Sequence, residues 1–211
     1  MSSLLAKAEQ YAGLSQVARQ AAIHSGRNGV AFSRETPYIL FQSNPLEGDC
    51  RMTIKVGDKL PEATFKVMKD GKPADMTVAE LSAGKKLALF AVPGAFTPTC
   101  SARHLPGYKE AVADFRAKGV DTIACVSVND VFVMNAWGKD QQVGEDVVML
   151  ADGNGAFAKA VGLTMDGSGF GMGSRSQRYS MVVEDGVVKQ LNVEAPGEFK
   201  VSAADYMLGQ L

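Results

Sequence analysis

The stretch "AVPGAFTPTCSARHLPGY", Ala91–Tyr108, decides how the rest of this sequence is read. It is entered from "KKLALFAVP", a nearly continuous apolar run bounded by Lys85, Lys86 and Pro93, the pattern of a strand buried on both faces. Pro93 and Gly94 then let the chain turn tightly, and Pro98, which has no N–H to leave unpaired, suits the first position of a helix. Cys100 falls in that helix's first turn. Tyr108, Ala111, Val112 and Phe115 recur at helical spacing beyond it, and Gly119 supplies a stop before "VDTIACVSVND", a second buried strand. The stretch is therefore the crossover of a βαβ unit.

Working outward, Asn129 or Asp130 caps a helix through "VFVMNAWGKD", "DVVMLAD" is a third strand, and "GAFAKAVGL" sets Phe157, Ala160 and Val161 on one helical face. "RYSMVVEDGVVKQLNVE" is two β-rich runs about Asp185-Gly186, an antiparallel hairpin. Ser202, with Asp205 three residues later, predicts the cap of a C-terminal helix. On the other side, "MTIKVGDKLPEATF" from Met52 is expected to be the first strand. A parallel half, a hairpin and a closing helix make the arrangement of thioredoxin-like domains, an α/β fold with a mixed central sheet flanked by helices. We expect this domain over residues 52–211, preceded by an N-terminal extension, 1–51, helical or partly disordered. Its "SLLAKAEQYAGLSQVARQAAIHSG" has helical spacing and ends at Gly26. Glu9, Glu35, Glu47 and Asp49 interrupt the extension, which favours a cytoplasmic location over mitochondrial import and leaves Met52 as an alternative start.

Composition narrows the function classes. The 211 residues are 46% hydrophobic and 21% charged with a net charge of −1, a balance that suggests neither disorder nor an electrostatic nucleic-acid binder. No run of about 18 apolar residues predicts a membrane span. Cys50, Cys100 and Cys125 cannot all pair within one chain, and with His24 and His104 they lack zinc-finger spacing, so we expect free thiols in a reducing compartment and neither metal nor other cofactor.

Ligands of such a sheet gather beyond the carboxyl ends of its parallel strands, where Cys100 lies. A first-turn position favours its thiolate, through the unpaired N–H groups and partial positive charge of the helix start. The alternative is a small buried hydrophobe. Thr97 stands where a Cys-x-x-Cys pair would place a second thiol; its hydroxyl donates and accepts, so it can hold the sulfur and orient an incoming oxygen, or simply cap the helix. His104, four residues after Cys100, invites a Cys-His pair, but Pro106 distorts the helix there and no third orienting residue is evident, so packing is the preferred reading.

"VPGAFTPTCSARHLPGY" resembles the active-site segment of peroxiredoxins, whose pattern Pro-x-x-x-Thr/Ser-x-x-Cys is matched by Pro93, Thr97 and Cys100. With "SVNDVFVMNAW" and "GSRSQRYSMVVEDG" in the same order, the sequence from about Ile54 to the C-terminus resembles the Prx5 or type II members. The resemblance implies a homodimeric thiol peroxidase acting on hydrogen peroxide and organic hydroperoxides. Cys100 would attack the peroxide, Thr97 position it and Pro93 shield the intermediate. Arg178 would stand beside the thiolate, with Arg175 the competing candidate or a support, and Phe170 and Met172 would line an apolar wall or fill a dimer contact. Type II members of plants carry a cysteine matching Cys125, which makes it a resolving candidate; the alternative is a buried strand residue, with glutathione or glutaredoxin, rather than thioredoxin, taking the sulfur directly. A redox sensor switched by Cys100 oxidation is the competing function, and a thiol–disulfide exchange protein is disfavoured by Thr97.

Overall fold

The computed structural model describes residues 53–211; the expected extension and its helix lie outside the described residues. Strands β1 (Thr64–Lys69), β2 (Lys72–Thr77), β3 (Lys86–Ala91), β4 (Thr122–Ser127), β5 (Val148–Ala151), β8 (Tyr179–Glu184) and β9 (Val187–Val193) form one sheet in the order β2-β1-β5-β4-β3-β8-β9. Strands β3, β4 and β5 run parallel, and every other pairing is antiparallel. The mixed thioredoxin-like sheet expected from the sequence is therefore present. A separate ribbon pairs β6 (Thr164–Asp166) with β7 (Ser174–Ser176) around the glycine-rich loop.

Alternation along β3 sends Ala88 and Phe90 to one face of the sheet and Leu87, Leu89 and Ala91 to the other, so each face has its own core. One core packs against α1 (Val78–Ser82) and α5 (Ala156–Ala160), through Leu81, Phe157 and Val161. The other lies under α2 (Leu105–Glu110), α3 (Val112–Ala117), α4 (Val131–Asp140) and α6 (Ala204–Leu208), and holds Tyr108, Phe115, Trp137 and Met207 together with both Cys100 and Cys125. Tyr108 is stacked between Phe90 and Phe115, with ring centroids 3.9 and 5.4 Å apart.

Three local expectations are corrected. From Thr53 onward the segment expected to be the first strand does not start as one: Gly57 (φ 94°) and Pro61 break it, and it crosses the edge of β9 by isolated bonds such as Gly57 N–H to the Val188 carbonyl before regular pairing begins at Thr64. Ser202 does not cap the last helix, because its hydroxyl donates to Glu194 Oε1 at 2.8 Å and the cap position is Ala203. The helix after the cysteine loop is not continuous: it opens as a π turn over Cys100–His104, with Leu105 N–H bonded to the Cys100 carbonyl, and breaks again at Ala111. Of the two cap candidates for α4 it is Asp130 that serves, accepting from the N–H groups of Phe132 and Val133.

Candidate active site

The cysteine loop is held at its base by the neighbouring strand end. Ser127 donates to Asn129 Oδ1, which in turn accepts the Ala95 N–H at 3.0 Å. Gly94 is closely approached: a Cβ there would meet Thr97 Cγ2 at 3.1 Å, so that side chain would have to give by a few tenths of an ångström. Phe96 holds a left-handed φ of 60°, an uncommon conformation for a bulky residue, and its ring is half exposed. Thr97 donates its hydroxyl to the Gly94 carbonyl at 2.9 Å, which leaves its oxygen lone pairs free to accept. Pro93, half-buried, follows directly on Val92, whose N–H is still paired with the Val126 carbonyl.

Cys100 sits at the head of the π turn and is fully buried. Side chains of the surrounding core cover it, and its polar contact comes from an arginine. Arg178, just ahead of β8, donates from Nη2 to Cys100 Sγ at 3.5 Å. Arg175 and Arg178 make different contacts. Arg175 is spent on carbonyls, donating from Nε to Met172 at 2.9 Å and from Nη1 to Val128, and so ties the glycine-rich loop to the end of β4. That loop is closed by Gly167 N–H to the Gly173 carbonyl at 2.7 Å, with no room for a Cβ at Gly167. Phe170 stands at its tip, 82% exposed.

His104 is drawn into the site, though not as a partner of the thiol. Its Nε2 lies 3.1 Å from the Ser202 carbonyl and its Nδ1 3.0 Å from Arg178 Nη1. A carbonyl can only accept and a guanidinium can only donate, so the tautomer is fixed: Nε2 carries the proton and Nδ1 accepts from arginine. Burial, and next the Arg178 charge, push the imidazole down to about 3 against the pull of the Ser202 carbonyl, so it is neutral at physiological pH. A neutral acceptor orients the fork without cancelling its charge. The Phe199 ring completes the enclosure, lying 5.0 Å from the His104 ring and 5.7 Å from the Arg178 guanidinium carbon.

Cys125 lies in β4, fully buried, opposite Phe90 of β3 and Met149 of β5. Burial, and then the neighbouring Cys100, push its thiol up, which keeps it protonated. Both cysteines are free thiols.

Comparison with known proteins identifies the family. The Redoxin family matches residues 55–208. The chain is 54% identical over 164 residues to the rice (Oryza sativa subsp. japonica) protein named peroxiredoxin-2E-2, chloroplastic, covering 75% of this chain and 73% of that one. This chain belongs to the peroxiredoxins, of the Prx5 or type II kind. A hybrid peroxiredoxin, hyPrx5, of Haemophilus influenzae is 46% identical, with 76% of this chain and 67% of that one covered. The crystal structure of reduced Prx3 from Vibrio vulnificus in complex with hydrogen peroxide is similar at a TM-score of 0.72 and 54% identity, over 75% of this chain and 99% of that one.

The arginine that the resemblance picks out, Arg178, lies against Cys100 in this peroxiredoxin. The contacts of His104, for which packing is the preferred sequence reading, and those of Ser202, Phe199 and Glu194 carry no local signal in the sequence. Their partners lie some 98 residues away in the chain in the case of His104 and Ser202, so no local spacing signals them.

Proposed function

We propose that this peroxiredoxin reduces hydrogen peroxide and alkyl hydroperoxides at Cys100 and is returned to its thiol by glutathione, with or without glutaredoxin. The observation that carries the reading is the Arg178 guanidinium donating to the buried Cys100 Sγ at 3.5 Å. A fixed positive fork beside a sulfur favours the thiolate and binds oxygens as negative charge develops on them.

The Cys100 thiolate attacks one peroxide oxygen in line with the O–O bond. The S–O bond forms as the O–O bond breaks, the sulfur is oxidised to a sulfenic acid, and the departing oxygen takes a proton to leave as water or an alcohol. Thr97 is placed for substrate positioning: with its proton held by Gly94, its oxygen accepts the peroxide O–H and turns the far oxygen toward Arg178. Pro93 shields the loop. Glutathione then condenses with the sulfenic acid, forming a mixed disulfide and releasing water, and a second thiol displaces Cys100 as thiolate.

Either recycling route requires the π turn to open, since Cys100 and Cys125 are both buried. The glutathione route asks less of the fold, because a Cys100–Cys125 bond would also need Cys125 pulled from its ladder between Phe90 and Met149. Steady-state turnover with each donor tests this: Cys125→Ser should retain turnover with glutaredoxin and glutathione, and its loss there would overturn the reading. The exposed rings of Phe96, Phe132 and Phe170 support a homodimer, to be checked by sedimentation. We also propose the domain boundary at Met52 and a cytoplasmic location; two plant relatives are chloroplastic by name, so comparing the cellular distribution of the full chain with that of a chain begun at Met52 tests whether residues 1–51 act as an import signal.

A further inference from the structure

The segment after β9 returns across the active-site arginine, and one carboxylate holds its two ends together. Glu194 directly follows β9, where its N–H donates to the Arg178 carbonyl at 3.0 Å. Its Oε1 accepts three hydrogen bonds from the far end of the segment: the Lys200 N–H at 2.6 Å, the Ser202 N–H at 2.8 Å and the Ser202 hydroxyl at 2.8 Å. Two residues of this closure, Phe199 and Ser202, face the site. The Ser202 carbonyl receives both His104 Nε2 at 3.1 Å and the Tyr108 hydroxyl at 3.0 Å, and Phe199 lies against Arg178.

We infer that Glu194 is a positioning residue for peroxide reduction, which sets the Arg178 fork against Cys100 by fixing the Ser202 carbonyl that anchors His104 and the Phe199 ring that covers the guanidinium. The chain of contact is continuous: Glu194 to Ser202, Ser202 to His104, His104 to Arg178 and Arg178 to sulfur. Glu194 is buried, and although burial works against its charge, the Ser202 and Lys200 N–H groups outweigh that and hold it below the usual carboxylate range. Its negative charge also faces Arg178. Simple electrostatics and positioning therefore predict opposite signs. Removing a negative charge near Arg178 strengthens its field at the thiolate and should speed the reaction, whereas loosening the segment misplaces the fork and should slow it.

The inference rests on the reading of Cys100 as the peroxide-reactive thiol, and the test separates the two. Second-order rates of Cys100 with hydrogen peroxide and with iodoacetamide are measured for wild type, Glu194→Ala, Glu194→Gln and Glu198→Gln. Alkylation needs the thiolate but no aligned peroxide. Glu194→Ala should slow oxidation by between about tenfold and about a hundredfold, the scale of misplacing a catalytic group, with a clearly smaller fall in alkylation, which reads only the thiolate population. Glu194→Gln, which keeps an acceptor oxygen, should recover most of the loss. Glu198→Gln, an equal loss of charge on an exposed residue of the same segment, should match wild type. If Glu194→Ala does not fold, Ser202→Ala, which removes one of the three donors, should show a smaller fall in oxidation alone. Unchanged or faster oxidation in Glu194→Ala, or in Ser202→Ala where Glu194→Ala does not fold, or equal falls in both reactions, would overturn the positioning role. A wild-type thiol no faster with peroxide than free cysteine would instead overturn the functional reading itself.

Discussion

Cys100 and Cys125 are two free thiols in one hydrophobic cluster, equally sealed from solvent, and they differ in what faces the sulfur. Cys125 lies in the middle of a parallel strand among buried side chains, and burial, then the neighbouring Cys100, leave it a protonated, inert hydrophobe. Cys100 sits beyond the end of a strand, where a π turn begins, and an arginine just ahead of β8 reaches it. Burial is thus no guide to reactivity. The strand interior satisfies its own backbone and excludes charge, while the strand end leaves room for a charged side chain with supporting polar contacts.

The largest effect should come from removing the reactive member of the pair. Cys100→Ser should abolish peroxidase turnover, because a serine hydroxyl is almost wholly protonated at neutral pH, and activity above about a tenth of wild type would break the comparison. Next, Arg178→Ala should make Cys100 more like Cys125, slowing its oxidation by roughly 10²-fold or more, the scale of losing a preorganised donor. Stopped-flow thiol consumption measures this; a fall of less than about threefold would assign the charge to another group.

A subtler difference is one of pH. In the unfolded chain His104 takes up a proton as the pH falls through about 6.5, but in the folded protein only near 3. Between those values the unfolded state binds more protons, so His104 makes stability decline with falling pH, by up to about 1.4 kcal/mol per unit. Chemical denaturation from pH 7 to pH 4 should show a shallower decline in His104→Gln than in wild type; parallel curves would mean that the imidazole is not held neutral. Smallest of all, deleting residues 1–51 should leave peroxide reactivity within about twofold, since every group argued for the site lies in the compact domain. A rate assay on the shortened chain checks it.

How much of this was legible in the sequence depended on whether the partners were local. Asp185-Gly186 was read as a hairpin because regular β-rich runs flank it. Asp70-Gly71 makes the same left-handed turn, with φ values of 51° and 74°, and was passed over because Lys66, Lys69, Lys72 and Pro73 obscure the alternation beside it. Cys100 and Thr97 announced themselves by spacing. Arg178 took the resemblance to a family to pick out, since nothing around it in sequence marks it from Arg175. Pro106 correctly signalled a distorted helix, but the distortion is the π turn whose end carries His104, buried, against Arg178, rather than a reason to set His104 aside. The capping pattern at Ser202 failed for the same reason in reverse, as Glu194 captured the hydroxyl from outside the local pattern.

The central claim is that the two buried thiols are chemically unlike, and it is tested most directly by mixing the reduced protein with one equivalent of hydrogen peroxide, trapping within the first turnover and mapping oxidation by peptide mass spectrometry. The account predicts a sulfenic acid on the Cys100 peptide and an unmodified Cys125, with added glutathione converting the former to a mixed disulfide. Oxidation shared between the two cysteines, or a Cys100–Cys125 disulfide formed rapidly without glutathione, would contradict it.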